Sequence, residues 1–581
     1  MNISRSLLIL FLMGISFDAL TAERPNVIFI LTDDQGYGDL GCHGNPVLKT
    51  PALDALHAES LRFTDFHVNS FCTPSRAAIM TGHYATRTGA YRTSSGRTFL
   101  HTDEVTMAEI FRKSGYATGL FGKWHLGDSY PHRPYDRGFE EVVWHKAGGV
   151  GQLSDYYSND YFSDHYERNG VLESFEGYCT DVWFEEALRF IEKQREAKKP
   201  FFAYIPTNAP HSPFVVEDHY AAPYEDVATW RDGKASKFYG MIANLDENIG
   251  RLRQYLQGSG LADNTILIFM SDNGTAGGVG MDTDAVPAEG EGYNAGMRGR
   301  KASVYDGGHR VPFFLHWPDG GHDKGQDVDT LAAGYDLLPT LIELCQLEDP
   351  GIPFDGMSLT PAIKNSGDWP DRQLVLQYQG GNGFTYAPEM WTDSAVLTQE
   401  WRLVDGNKLF RIKEDPSQSH NLAEDFPEMV KQLRSRYEGW WAEVSPRMRP
   451  IPIHLGNKAE PETLLTGLDW YMEPFGNPIT STRRWSPGSN GPIYLEIETA
   501  GRYRFKLTER HPAAKEPLNN VLARLETGGQ KFESKIEAGA LVSEFVVTLP
   551  EGPTQLIATF ETPNGETGGA YFVEVSYLGS E

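Results

Sequence analysis

Between residues 25 and 345, short apolar runs alternate with longer stretches whose apolar positions recur every three or four residues. The runs at 26–31, 117–121, 201–205 and 265–270 are each closed by turn residues, the pattern of strands buried on both faces. Segments 105–114 (stopped by Gly115), 181–193 and 237–256 carry the helical period. This alternation predicts an α/β fold with a mainly parallel sheet sandwiched by helices. From 373 to 441 the pattern changes to three strand-like runs near Leu374, Ala395 and Trp401, then a helix over 428–441, which predicts a small antiparallel α+β subdomain. Beyond a proline-rich stretch at 446–452, closely spaced runs at 494–498, 503–507, 544–549, 555–560 and 571–577 predict an appended β-sandwich. The expected division is a leader at 1–22, an α/β domain at 23–370, the α+β subdomain at 371–450 and the β-sandwich at 455–581.

The leader has its own composition. Arg5 supplies positive charge, residues 7–15 are apolar, and Leu20-Thr21-Ala22 precedes the polar Glu23-Arg24-Pro25, the arrangement of an export signal peptide. Its apolar run is shorter than the roughly 20 residues that cross a bilayer, and no later run reaches that length. The mature chain is therefore expected to be periplasmic or secreted, with no membrane span. Its 581 residues carry 52 basic and 79 acidic side chains, a net charge of −27, which argues against nucleic acid and anionic membranes as partners. Four cysteines (Cys42, Cys72, Cys179 and Cys345) are too few for a disulfide scaffold, and their spacing assigns no pair.

Open α/β sheets bind ligands beyond the carboxyl ends of their strands, so the residues following each strand deserve weight. The first run is followed by Asp33-Asp34, the run at 265–270 by Ser271-Asp272-Asn273-Gly274, the run at 117–121 by Gly122-Lys123-Trp124-His125, and the run at 201–205 by Asn208-Ala209-Pro210-His211. Singly, paired aspartates commonly cap a helix and a lone lysine is commonly solvated. Their repetition at one sheet edge favours a site. Asp33, Asp34, Asp272 and Asn273 offer only oxygen, a donor set for a hard cation, calcium or magnesium, rather than zinc.

Cys72-Thr73-Pro74-Ser75-Arg76, continued by Ala77-Ala78-Ile79-Met80-Thr81-Gly82, is the most specific string. At average residue usage C-x-P-S-R arises by chance about once in several hundred chains of this length. A free cysteine is ordinarily a small buried hydrophobe, but this one precedes a predicted helix start, where backbone N–H groups favour an anion. The string resembles the signature of the type I, formylglycine-dependent sulfatases, of the alkaline phosphatase-like superfamily. The resemblance spans about 25–441, with Gly299-Arg300-Lys301, Gly307-Gly308-His309-Arg310-Val311-Pro312, Trp401-Arg402-Leu403 and Asp415-Pro416 following in family order. Asp306 stands where that pattern has a glutamate, a position expected to be structural, and a sulfate-binding serine of some relatives has no match.

The resemblance implies that a maturation enzyme converts Cys72 to Cα-formylglycine, whose hydrated aldehyde attacks sulfur. It implies one calcium ion, or magnesium, on Asp33, Asp34, Asp272, Asn273 and the converted Cys72. Arg76 would steady the charged hydroxyl, and Lys123 and Lys301 would clamp sulfate oxygens. His211 would protonate the departing alcohol, a step suited to a histidine titrating near neutrality, and His125 would take the proton that lets sulfate leave. The implied activity is sulfuric ester hydrolysis. The same fold also hosts phosphodiesterases and phosphonate hydrolases, with alkaline phosphatases that hold two zinc ions on an Asp-His pair where this chain has Asp272-Asn273. A non-catalytic glycan-binding protein is the alternative of another class. Export and an added β-sandwich favour a sulfated carbohydrate as substrate. The tyrosine-rich insert at 144–178 is expected either to border the pocket, stacking on sugar rings, or to fill itself; Trp470 and Trp485 are expected either to plug the β-domain core or to line the cleft. Every implied site residue precedes 302, so hydrolysis itself is not expected to need 455–581.

Overall fold

The computed structural model describes residues 24–365, 369–378, 389–472 and 485–580; the expected leader at 1–22 lies outside them. A ten-stranded sheet forms the centre. Asn26–Thr32 lies in its middle, parallel to Phe201–Pro206 on one side and to Thr265–Ser271 on the other. Ala117–Lys123 and Glu141–His145 extend the parallel pairing outward. Successive side chains of a strand point to opposite faces. Val27, Phe29 and Leu31 thus enter one core with Met107–Lys113 and Leu337–Leu344, whereas Ile28 and Ile30 enter another with Pro51–Glu59, Cys179–Ala197 and Lys234–Ser259. Two covered faces explain why these strands are continuous apolar runs.

The helices expected at 105–114, 181–193 and 237–256 are Met107–Lys113, Cys179–Ala197 and Lys234–Ser259. The first starts later because Thr106 caps it: the Thr106 hydroxyl accepts the Glu109 N–H and the Glu109 carboxylate accepts the Thr106 N–H. Toward its edges the sheet turns mixed, and one outermost strand, Gln326–Val328, runs parallel to Leu61–Phe63. Phe313–His316 joins Thr265–Ser271 to Leu61–Phe63, and His165–Arg168 with Val171–Ser174 forms a hairpin at the far edge. Strands of three or four residues carry too little pattern to be predicted.

The α+β unit holds four antiparallel strands in sequence order, Leu374–Gln377, Ser394–Leu397, Trp401–Val404 and Lys408–Arg411, one more than expected. The fourth has only two apolar residues between Lys408 and Arg411. Helix Pro427–Val444 lays Leu433, Tyr437, Trp440 and Val444 into this unit's core, a stripe at helical spacing. The β-region forms two facing sheets. One pairs Glu462–Thr466, Phe572–Gly579, Gly501–Thr508 and Ser543–Leu549; the other runs Ile453–Leu455, Ile493–Ile497, Gly552–Glu561, Leu522–Thr527, Gln530–Lys535. Tyr503, Phe505 and Leu507 meet Leu495, Leu525 and Phe560 between them. Trp470 and the half-buried Trp485 pack in this core, and so do Phe99 and Leu153 from the α/β region. The sandwich core is thus continuous with the α/β region.

A buried charge network fastens the α+β unit. Arg402 donates to Asp306 (3.0 Å) and Asp65 (2.9 Å), and His67 bridges Asp65 (2.9 Å) and His309 (2.9 Å). Asp306, the position that departs from the family pattern, is structural in this sense. Arg402→Ala strands the buried Asp306 carboxylate and the half-buried Asp65 and is expected to cost about 3–5 kcal/mol, read as a lowered urea midpoint. A loss below about 1 kcal/mol would show that the carboxylates find other partners.

Candidate active site

The central strands end level with one another, because Leu31 pairs with Pro206 and Thr32 with Ser271. The residues that follow are therefore gathered at one edge. The Asp33 N–H donates to the Ala209 carbonyl (3.0 Å), and the Asp272 N–H to the Thr32 carbonyl (3.0 Å). The Asp34 N–H donates to the Asp272 carboxylate (3.2 Å). Helix Cys72–Thr81, buried along its whole length, points its N-terminus at this edge. Cys72 is its first residue, with Sγ 3.2 Å from Asp33 Oδ1, 3.9 Å from Asp34 Oδ1 and 3.7 Å from Lys301 Nζ. Arg76 follows one turn later on the same face. It binds Asp272 through Nε (3.0 Å) and Nη2 (2.8 Å), and donates to the Lys123 carbonyl (3.1 Å). Close backbone approach holds the loops together: a Cβ on Gly274 would lie 2.0 Å from the Gly307 carbonyl oxygen.

The charges pair closely. Lys123 Nζ lies 2.6 Å from Asp33 Oδ2, Lys301 Nζ 2.7 Å from Asp34 Oδ1, and His211 Nε2 3.7 Å from Asp34 Oδ2. Burial works against ionisation of Asp34, but Lys301, His211 and the Asn273 amide hold its carboxyl well below the usual range. At Asp272, burial and the neighbouring Asp33 outweigh Arg76 and raise the carboxyl to about 6. Burial, then Asp33, push the Cys72 thiol well above its ordinary value despite Lys123 and Lys301. Cys72 is thus no activated thiolate. Burial, then Lys301, lower His211 to about 3, and burial with Lys123 and Arg76 holds His125 well below its ordinary value.

All the residues singled out in the sequence for catalysis or metal binding line this edge: Cys72, Arg76, Lys123, His125, His211, Lys301, Asp33, Asp34, Asp272 and Asn273. Sequence reasoning missed Phe71, whose ring faces Lys301 Nζ at 4.7 Å, and Thr73, whose hydroxyl donates to the His125 carbonyl (3.0 Å). It also missed Thr93, whose carbonyl oxygen lies 3.2 Å from His125 Nε2. Phe71 and Thr73 flank Cys72 and could have been weighed; a backbone carbonyl leaves no mark in the sequence. The insert at 144–178 mostly fills itself. Tyr161, Tyr166 and Tyr178 are buried, and Tyr156 and Tyr157 pack against His511 of the β-region. A cavity of about 390 Å³ between insert and sandwich, lined by Tyr156, His165, Glu462 and His511 among others, includes none of the site residues.

A family model described as Sulfatase matches residues 25–347. Human arylsulfatase A is 32% identical over 398 residues, 65% of this chain and 74% of that protein. Human N-acetylgalactosamine-6-sulfatase is 32% identical over 381 residues, 62% of this chain and 69% of that protein. The crystal structure of Ps i-CgsB in complex with k-i-k-neocarrahexaose matches with a TM-score of 0.62 and 28% identity, covering 72% of this chain and 92% of that one.

The donor set fits a divalent cation. Ligand atoms of Asp33, Asp34, Cys72 and His211 lie within 4.8 Å of one another, and Asn273 Oδ1 is buried with no hydrogen-bond partner among the described residues. Calcium at about 100 times its Kd is expected to stabilise the chain by about 2.7 kcal/mol, visible as a raised melting temperature. Asp33→Ala should abolish that response; an equal rise in the variant would place the ion elsewhere.

Proposed function

The chain belongs to the sulfatase family and is a sulfuric ester hydrolase, and from that premise we propose that it removes sulfate from a sulfated carbohydrate, in the periplasm or outside the cell. The reading of the reaction rests on one observation above all: Cys72 opens a buried helix N-terminus between Asp33 and Lys301, where its thiol is inert. Converted to Cα-formylglycine by a maturation enzyme, residue 72 would supply an aldehyde hydrate as nucleophile, and a calcium (or magnesium) ion on Asp33, Asp34, Asp272, Asn273 and residue 72 would supply positive charge for a sulfate oxygen.

The remaining roles belong to the chain's own side chains. With Asp33 and Asp34 committed to a dication, Lys123 and Lys301 are free to hold sulfate oxygens, as fixed cations that need no reorganisation during reaction. Arg76, locked on Asp272, keeps a positive charge beside the nucleophile. His211 gives a proton to the departing alcohol oxygen. An anionic ester beside its ring favours the protonated form against burial and Lys301. His125 accepts the proton whose removal releases sulfate. Carbohydrate is favoured because Ps i-CgsB was crystallised with a neocarrahexaose, and because a relative is named for N-acetylgalactosamine 6-sulfate chemistry. We divide the mature chain at 23–370, 371–450 and 455–581.

Protein produced with a maturation enzyme should carry an aldehyde at residue 72, seen as loss of the thiol mass, and should hydrolyse a sulfate ester faster than the phosphate ester of the same alcohol. Cys72→Ala should lose all turnover while melting like the parent; activity in that variant would sink the mechanism, and a phosphate preference would favour the phosphodiesterase reading. His211→Ala should slow sugar sulfates by about 10²–10⁴-fold but p-nitrophenyl sulfate far less, since a good leaving group needs no proton. Equal losses on both would remove His211 from the acid role.

A further inference from the structure

His125 stands just past strand Ala117–Lys123 with φ at 59°, and its Nε2 is 3.2 Å from the Thr93 carbonyl oxygen. A carbonyl can only accept, so Nε2 carries the hydrogen and Nδ1 is the bare nitrogen of the neutral ring. Nδ1 is buried, with no hydrogen-bond partner among the described residues. The ring's other flank meets Gly148, where a Cβ would come within 2.6 Å of Cε1. The orientation of this imidazole, and which nitrogen is free, thus depend on where the Thr93 carbonyl is held.

Thr93 belongs to the connection between the helices Ala85–Thr88 and Met107–Lys113. The Arg92 N–H donates to the Arg97 carbonyl (3.3 Å) and closes a short loop around it. That loop is fastened from outside by 468–472, the segment that follows the sandwich strand Glu462–Thr466. The Gly96 N–H donates to the Leu468 carbonyl (2.9 Å), and a Cβ on Gly96 would lie 2.8 Å from the Asp469 carbonyl oxygen. The Arg97 guanidinium lies over the Tyr471 ring, 3.8 Å from its centroid, and Nη1 reaches the Met472 carbonyl at 3.4 Å. Tyr471 is itself tied into the sandwich, its N–H on the Pro492 carbonyl (2.8 Å) and its ring edge-on to Tyr494. Phe99, two residues past Arg97, is buried in the sandwich core.

We propose that segment 468–472 of the β-region is a positioning element of the catalytic site, which through Gly96 and Arg97 holds the Thr93 carbonyl against His125 Nε2 and so presents Nδ1 as the base. Tyr471 touches neither substrate nor reacting atoms; it is a positioning residue. The proposal rests on the reading of His125 as the group whose proton uptake releases sulfate, and it reverses the expectation that hydrolysis can do without residues 455–581.

The test uses the full chain with Cys72 left unconverted and its histidines labelled with ¹⁵N, the His125 signals being assigned by their loss in His125→Gln. Long-range nitrogen–hydrogen correlations should show one tautomer, protonated at Nε2. Tyr471→Ala, and independently Gly96→Ala, should replace it with averaged tautomers, whereas Tyr471→Phe, which keeps a ring under Arg97, should not. In converted enzyme, Tyr471→Ala should release a first equivalent of alcohol at the parent rate and then turn over about tenfold more slowly, with KM nearly unchanged. His125→Ala is the benchmark. If it shows no such burst, the reading of His125 as the base fails. If it does, while Tyr471→Ala and Gly96→Ala keep the parent spectrum and rates, the positioning role fails. A variant that merely folds poorly would lower burst and steady rate together, and that result in both variants would overturn the proposal.

Discussion

Three carboxylates, Asp33, Asp34 and Asp272, are buried beside three cations, Lys123, Lys301 and Arg76, at one end of the sheet. Neither set could stay ionised there without the other, since removing one partner of a buried pair leaves an uncompensated charge. The pairing fixes the geometry as well as the charge. Asp33 and Asp272 must follow strands that end level, Arg76 must sit one turn into a helix that starts at Cys72, and Lys301 must arrive on a loop packed against Gly274. Parallel strands buried on both faces supply the level edge, and the glycines of the loops supply the close approach.

This balance also makes the site adaptable. Lysines that neutralise carboxylates in one state can neutralise an anionic substrate once a dication takes the carboxylates. Burial, then Asp33, push the Cys72 thiol well above its ordinary value, away from the thiolate form. Burial, with Lys301 beside one ring and Lys123 beside the other, holds His211 and His125 below the usual histidine range.

Much of this was legible in the sequence. The apolar runs at 26–31 and 265–270 announced the central strands because both of their faces are covered, and the Asp, Lys and His residues behind them announced the edge. The Cys72 string announced the family. What stayed hidden was carried by backbone or by long-range packing. Thr93 acts through its carbonyl, so its side chain gives no sign of the contact to His125. The strand Lys408–Arg411 and the edge strands are too short to show a period. The partnership of Arg402 with Asp65 and Asp306 joins residues 337 and 96 positions apart. The proline-rich stretch at 446–452 reads as a boundary, yet Phe99 and Leu153 pack across it into the sandwich core.

The central claim is that attack at this charge-paired edge falls on sulfur, with an oxygen drawn from solvent. Hydrolysis of a sulfated oligosaccharide in ¹⁸O-labelled water tests it most directly. The account predicts one ¹⁸O in the released sulfate and none in the sugar hydroxyl, because the S–O bond breaks and the hydrate oxygen of residue 72 comes from solvent. Label in the sugar hydroxyl would mean attack at carbon, and would contradict the account.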